Sequence, residues 1–329
     1  MARTENSFIT ASSMSRRNFV STLATAGALL PMAGLANPFT PVSPVKSERL
    51  ICVFSKHLQW LGVPEMAKAV ADLGYDGIDL TVRKGGHIEP EQAATELPKA
   101  VAQIRKAGLE VPMIVTNITD PKDPFTEPIL KAASQAGVKY YRTNWVNYDP
   151  KLGILKTLEQ YKKQFRELAG LNKKYNIRGA YQNHSGTSVG AAVWDIYELL
   201  KDIDPRWLGV QYDIMHATAE GGESWLNGLD LLQKHVNCLD FKDFYWAKKD
   251  GKWQHQIVPL GQGMVNFKKF FSLIKQFNIS GPMSIHLEYE LGGADQGKKQ
   301  ITIPKDQVFA AMKRDLQTLR SMLQEAGLA

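Results

Sequence analysis

Cysteine is scarce in this sequence, with Cys52 and Cys238 the only two among 329 residues. The two cysteines form no CxxC pair, and each falls within a predicted strand. Their scarcity excludes a scaffold held together by disulfides and a cysteine-rich zinc site. We expect both to be buried thiols, because a chain of this length buries enough apolar surface to fold without cross-links.

Nucleotide-binding glycine motifs and strongly basic stretches are also missing. No GxGxxG follows the first predicted strand and no Walker sequence occurs, which disfavours a nucleotide-binding fold. The formal net charge is +7, and part of it comes from Arg3, Arg16 and Arg17 near the N-terminus. The lysines are scattered in pairs rather than gathered in a stripe, so we expect no nucleic-acid partner.

Residues 1–36 have the pattern of a targeting segment. The twin arginine Arg16-Arg17 precedes a moderately apolar run that ends in small residues. This resembles a twin-arginine export signal, and implies the export machinery as a partner and a periplasmic or secreted location. The run is too short and too rich in small residues for a stable membrane anchor. A tail that contains two arginines by chance is the alternative. Residues 37–48 are interpreted as a proline-rich linker.

The rest of the chain, residues 49–329, alternates short apolar runs with longer amphipathic stretches that have the helical period. The predicted strands are Leu50–Phe54, Gly77–Leu80, Glu110–Thr116, Val138–Thr143, Arg178–Gln182, Leu208–Tyr212, Val236–Phe241 and Met283–Glu288. The predicted helices are Pro64–Leu73, Glu91–Ala107, Phe125–Gln135, Leu152–Lys174, Gly190–Lys201, Trp225–Gln233, Phe267–Phe277 and Lys305–Gln324. Eight strand–helix units predict a single (β/α)8 TIM barrel, with a doubly wound open sheet as the alternative.

Polar residues cluster at the ends of the predicted strands, where barrels of this kind carry out their chemistry. Five of the seven histidines lie at a strand end or in the loop that follows it: His57, His87, His184, His216 and His286. Side chains two apart on a strand share a face. This spacing pairs Gln182 with His184, Gln211 with Asp213, Asp240 with Lys242, and His286 with Glu288. We therefore expect these side chains to line one pocket.

The stretch "GVQYDIMHA" places Asp213 at the end of a predicted strand and His216 three residues later. A carboxylate in that position can hold a divalent ion, and a neutral imidazole can bind hydroxyl groups or move a proton. A hydrogen-bonded cap of the strand is the plainer interpretation. The other polar strand ends favour the functional one.

From about Leu50 to Leu323 the sequence is similar to the xylose isomerase-like barrel family, the sugar phosphate isomerase/epimerase group. The similarity rests on "GYDGIDLTVRKGGHIEPE", "YQNHSG", "QYDIMHATAEGGESW", "DFKDFYW", "PLGQGMVNF" and "SIHLEYELGGADQG". The resemblance implies one divalent metal held by Glu, Asp, His and Glu at four strand ends. These positions fall on Gln182, Asp213, Asp240 and Glu288, so the first Glu and the His are replaced.

The two replacements change the chemistry that the resemblance implies. Gln182 cannot accept a proton at neutral pH, which disfavours proton exchange between two glutamates. An all-oxygen site suits Mn²⁺ or Mg²⁺ better than zinc, and a site without metal is the alternative. The hypothesis assigns catalysis to Glu288, His184, His216 and Lys242. It assigns substrate binding to Lys56, His57, Arg83, His87, His286 and Trp246.

These residues support an exported, divalent-metal-dependent sugar isomerase or epimerase. It would abstract a proton beside a carbonyl of an unphosphorylated sugar or polyol, a small-molecule carbohydrate, and stabilise the resulting negative charge. One alternative is a 3-keto-glycoside lyase or hydrolase on the same barrel. Another is a sugar-binding protein without catalysis. The related DNA-repair endonucleases are disfavoured, because they need several zinc ions and more histidine ligands.

Overall fold

The computed structural model describes residues 49–329, so the predicted signal (1–36) and linker (37–48) lie outside the described residues. Its strands are β1 (Ile51–Phe54), β2 (Gly77–Thr81), β3 (Glu110–Val115), β4 (Tyr140–Arg142), β5 (Arg178–Gln182), β6 (Leu208–Asp213), β7 (Val236–Phe241), β8 (Asp243–Lys249), β9 (Lys252–Val258) and β10 (Met283–Ile285). Its helices are α1 (Val63–Leu73), α2 (Ala93–Lys106), α3 (Thr126–Gln135), α4 (Ile154–Tyr175), α5 (Val193–Leu200), α6 (Ile214–Gly221), α7 (Trp225–Leu232), α8 (Phe267–Gln276) and α9 (Lys305–Ala326).

Eight of these strands form a closed barrel in the order β1-β10-β7-β6-β5-β4-β3-β2. Every neighbouring pair in the barrel is parallel, and β1 closes the ring against β10 with Ile51 opposite Met283. The predicted (β/α)8 barrel is therefore confirmed, and the doubly wound open sheet is excluded.

Burial on both faces explains why the barrel strands are apolar along most of their length. All six residues of β6 are buried, with helices outside and the barrel interior inside. Met113, Ala180 and Cys238 pack together as one small apolar cluster. Cys52 and Cys238 are both buried thiols, as the sequence predicts. None of the helices in residues 49–329 is long and apolar enough to cross a membrane.

Three features near the carboxyl ends of the strands differ from the sequence prediction. Helix α6 begins immediately after β6, and the Asp213 carboxylate caps it by accepting the backbone N–H of His216. Strands β8 and β9 form an antiparallel hairpin directly after Lys242. Its turn contains Asp250-Gly251, a pair that favours two-residue hairpin turns because both residues adopt positive φ. Strand β10 ends at Ile285, so His286 and Glu288 follow the strand rather than belong to it.

Candidate active site

The Lys242 side chain lies at the centre of the polar cluster in the barrel mouth. Its ammonium nitrogen is 3.1 Å from Asp213 Oδ2 and 3.0 Å from Glu288 Oε2. It also donates to His216 Nε2 at 2.7 Å. The Lys242 side chain is only 1% exposed. The ends of β6 and β7, the start of α6 and the segment after β10 therefore bring Asp213, His216, Lys242 and Glu288 together.

Gln182 faces this cluster with its amide nitrogen. Its Nε2 donates to Asp213 Oδ2 at 3.0 Å and to Asp240 Oδ2 at 2.6 Å. Its Oε1 accepts a hydrogen bond from the Arg142 guanidinium at 2.8 Å. The oxygen that the sequence hypothesis offered to a metal is therefore engaged by Arg142.

Asp240 is fully buried between amide donors. Gln211 Nε2 donates to both of its carboxylate oxygens, at 2.8 and 2.9 Å. Burial and the neighbouring Asp213 carboxylate raise the pKa of Asp240 well above its ordinary value, although Lys242 and Arg142 oppose the shift. Asp240 is therefore a weaker acid than an ordinary aspartate.

Glu288 lies between two lysines, with Lys56 Nζ 2.9 Å from its Oε1 and Lys242 on its Oε2. Burial alone would raise the pKa of Glu288, but Lys242 and Lys56 outweigh it and hold the pKa well below the ordinary value. Burial opposes the charge of Lys242 as well, yet Asp213 and Glu288 raise the pKa of its ammonium. Glu288 and Lys242 are therefore ionised at neutral pH.

The His216 imidazole is neutral and has one defined tautomer. Burial, Lys242 and His184 lower its pKa well below the ordinary value. Since the Lys242 ammonium can only donate to Nε2, the ring proton lies on Nδ1, which donates to Ser185 Oγ at 2.7 Å. The His184 ring packs against the His216 ring with centroids 3.8 Å apart, and Trp145 packs against His184. These rings form one wall of the mouth.

Three buried side chains are placed to hold a metal ion. Asp213, Asp240 and His286 each offer a ligand atom, and these atoms lie within 4.8 Å of one another. His286 is 2% exposed, and neither of its ring nitrogens makes a hydrogen bond, although Nε2 lies 3.4 Å from Asp240 Oδ1. Burial and Lys242 lower its pKa well below the ordinary value, so the ring is a neutral potential ligand. Two carboxylates and an unpaired imidazole are a donor set that fits a divalent cation.

This group overlaps only in part with the metal ligands that the resemblance implied. Asp213 and Asp240 belong to both sets, and His286, which the hypothesis assigned to substrate binding, joins them. Gln182 bonds Arg142 through its oxygen, and Glu288 binds two lysines. The ligand set therefore stays a prediction, with His286 as an added candidate.

The other residues predicted to bind substrate lie in different surroundings. His57 is fully buried, with Nε2 accepting the backbone N–H of Leu287 and Nδ1 on the carbonyl of Ala294. His87 is paired in the same way, with Thr81 and the carbonyl of Leu58. The ring nitrogens of both histidines thus already bond groups of the chain.

Arg83 and Trp246 remain accessible. The Arg83 guanidinium lies 5.4 Å from the centre of the Phe54 ring. Trp246 belongs to the hairpin, is 40% exposed, and packs edge-on against Phe244 and His255. Both side chains can contact a bound molecule.

Sequence reasoning missed two residues that complete the cluster, Arg142 and Ser185. Arg142 ends β4, so the strand-end rule that selected the histidines would have found it. Gln211, which the period of two had paired with Asp213, lies inside β6 two residues before it. Ser185 follows His184 in a loop, and only the tertiary structure brings it to His216.

The chain belongs to the xylose isomerase-like TIM barrel family, whose model matches residues 67–322. Among solved structures, a xylose isomerase-like TIM barrel protein from Mycobacterium smegmatis in complex with magnesium is similar, with a TM-score of 0.62 and 15% identity over 85% of this chain and 100% of that one. D-allulose 3-epimerase from Methylomonas sp., in complex with D-allulose, has a TM-score of 0.61 and 13% identity over 84% of this chain and 98% of that one. The 3-keto-D-glucoside 4-epimerase of E. coli has a TM-score of 0.59 and 13% identity over 82% and 99%.

Curated relatives match over shorter stretches. "Putative L-ribulose-5-phosphate 3-epimerase SgbU" of Haemophilus influenzae is 33% identical over 89 residues, which are 26% of this chain and 29% of that protein. The chain thus spans less than a third of that relative's length. At these identities the solved structures establish the fold alone.

Proposed function

We propose that this protein is a sugar isomerase or epimerase that abstracts a proton beside a carbonyl group. The observation that carries the proposal is the buried Lys242 ammonium, 3.0 Å from the ionised Glu288 carboxylate. In this proposal Glu288 removes the proton, and Lys242 stabilises the negative charge that develops on the neighbouring oxygen. A substrate oxygen that takes over the contact with Lys242 withdraws a cation from Glu288 and so makes Glu288 a stronger base.

A divalent cation, Mn²⁺ or Mg²⁺, is proposed as the cofactor, held by Asp213, Asp240 and His286. When bound there, such a cation supplies Lewis-acid polarisation of a substrate carbonyl. The unpaired nitrogens of buried His286 support this assignment. The magnesium in the Mycobacterium smegmatis structure is consistent with it.

An unphosphorylated sugar is the proposed substrate. Three cations in the described part of the mouth are already engaged, Lys56 and Lys242 by Glu288 and Arg142 by Gln182. A phosphate group would have to compete with these partners. The structures in complex with D-allulose and of a 3-keto-glucoside epimerase support a keto sugar. Export through the twin-arginine signal, proposed from residues 1–36, also favours a substrate found outside the cytoplasm.

The test is incorporation of solvent deuterium into a panel of ketoses and 3-keto-glycosides in the presence of Mn²⁺. We expect exchange at the carbon beside the carbonyl, and a loss of about 100-fold or more in Glu288→Gln, because general-base catalysis contributes on that order. The exposed Glu290→Gln, two residues along, is the matched control. No exchange into any sugar, or an unchanged rate in Glu288→Gln, would refute the proposal. Tight sugar binding without exchange would instead indicate a binding protein.

A 3-keto-glycoside lyase is the second candidate, favoured by the state of Gln182. With its amide nitrogen turned towards two carboxylates, Gln182 cannot serve as the second base of a symmetrical epimerase. Elimination needs one base and a leaving group that takes up a proton. Release of the aglycone from a 3-keto-glycoside, faster than epimerisation of any free ketose, would select the lyase.

A further inference from the structure

Asp213, one of the carboxylates proposed to bind the metal, already forms an ion pair with Lys242. Lys242 Nζ forms an ion pair with Asp213 Oδ2 at 3.1 Å, and Gln182 Nε2 donates a hydrogen bond to the same oxygen at 3.0 Å. The other oxygen, Oδ1, accepts the backbone N–H of His216 at 3.2 Å. Oδ2 of this fully buried side chain thus has one partner for each of its two lone pairs, so a metal ion cannot ligate Oδ2 without displacing Lys242 or Gln182.

We propose that Lys242 is a built-in competitor of the divalent cation, so that its ammonium and the metal are alternative partners of Asp213. This inference rests on the metal binding proposed above. It goes beyond that proposal by giving Lys242 a second role, which is to set the metal affinity of the site. Metal is then held more weakly than the donor set alone would hold it.

The balance of charge in the mouth supports competition. Asp213 and Glu288 share Lys242, and Lys56 adds a second cation on Glu288. Arg142, which is 3% exposed, donates to Gln182, and Gln182 in turn donates to Asp213. Adding two further positive charges to this buried region is costly while Lys242 keeps its place, because little water is present to screen them.

Displacement is feasible because Lys242 has other partners. If its ammonium leaves Asp213, it keeps His216 Nε2 at 2.7 Å and Glu288 Oε2 at 3.0 Å. The side chain therefore loses one contact and is not left as an unpaired buried charge. No other described lysine contacts Asp213, so the exchange involves a single side chain.

The test is a calorimetric titration of the full chain with Mn²⁺, comparing wild type, Lys242→Met and the control Lys234→Met. Lys234 is exposed and lies just before the opposite end of the same strand, β7. We expect Lys242→Met to bind Mn²⁺ at least about tenfold more tightly than wild type, because a buried carboxylate loses its counter-ion. Lys234→Met should match wild type. Equal or weaker binding by Lys242→Met, or no binding by either protein, would overturn the proposal.

A second measurement covers the case in which Lys242→Met does not fold. In a crystal of the wild-type protein soaked with Mn²⁺, Lys242 Nζ should lie beyond hydrogen-bonding distance of Asp213 Oδ2. A metal bound to Asp213 with Nζ still 3.1 Å from Oδ2 would contradict competition. Neither measurement uses a sugar. Both can therefore decide whether Lys242 competes with the metal even if the deuterium-exchange test fails.

Discussion

Asp79 shows how burial sets the charge of a single residue in the barrel. It ends up fully buried in β2, where its Oδ2 accepts a hydrogen bond from Ser284 Oγ at 2.9 Å and its Oδ1 has no partner. Burial, and then the nearby Asp240, raise its pKa to about 7. The folded state therefore favours the protonated acid, whereas the unfolded chain ionises near the ordinary pKa of about 3.9.

This difference predicts a pH-dependent loss of stability. An acid with a raised folded pKa contributes its full stability below pH ~4 and loses it as the pH rises through about 7. Asp79→Asn cannot ionise, so it should gain stability relative to wild type between pH 5 and 8. The upper limit of the gain is about 4 kcal/mol. Urea unfolding of both proteins at pH 5 and at pH 8 measures the difference in the free energy of unfolding. The same pH dependence in both proteins would refute the raised pKa of Asp79.

The hairpin β8–β9 is the element that distinguishes this mouth from a plain strand–helix connection. It begins at Asp243, next to Lys242, and the chain returns to the barrel through residues 259–265. The Asp243 carboxylate accepts four backbone N–H groups at 2.8 to 3.2 Å, from Phe244, Gly261, Gly263 and Val265. One side chain thus fixes both the start of the hairpin and the return segment.

Replacing this carboxylate should loosen the return segment. Asp243→Asn keeps the size but removes the charge and one acceptor oxygen, and hydrogen bonds to charged groups contribute about 1.5–3 kcal/mol. We expect a loss of about 2–3 kcal/mol in the free energy of unfolding. Hydrogen exchange should become faster at Gly261, Gly263 and Val265. Asp72→Asn, in an exposed pair with Lys68, is the control and should change little. Unchanged hydrogen exchange at the three amides would show that Asp243 does not fix the return segment.

Strand and helix positions were predictable because both faces of each barrel strand are buried. Such strands are short apolar runs, and the helices between them repeat apolar residues with the helical period. For seven of the eight barrel strands, both the predicted start and the predicted end lie within two residues of the observed ones. Helix α6 was missed because its eight residues directly continue β6, where a loop was expected. The hairpin was missed although Asp250-Gly251 marks its turn.

At the scale of the whole molecule, the proposed export signal in residues 1–36 can be tested through Arg16 and Arg17. The twin-arginine machinery reads the two arginines as an address. Changing Arg16 and Arg17 to lysine should therefore leave most of the protein in the cytoplasm, whereas wild type should reach the periplasm. Cell fractionation followed by immunoblotting measures the distribution. Equal export of both proteins would refute the twin-arginine assignment.

The amino-acid sequence by itself determined the barrel and the choice of residues at its mouth. The eightfold alternation specifies parallel strands, and parallel strands place their carboxyl ends on one side. Asp213, His216, Lys242 and Glu288 could be selected on that basis alone. All four lie within one connected set of hydrogen bonds and ion pairs.

Only the tertiary structure decided what these residues bind and which charge they carry. Periodicity tells which face a side chain is on, but not which atom points to which neighbour. The orientation of Gln182 and the pairing of Lys242 with Asp213 depend on contacts between residues 29 to 58 positions apart. The absence of hydrogen bonds at the His286 ring likewise depends on its surroundings in the fold. Because charge state follows burial and these distant partners, the chemistry of the site was fixed only when the barrel closed.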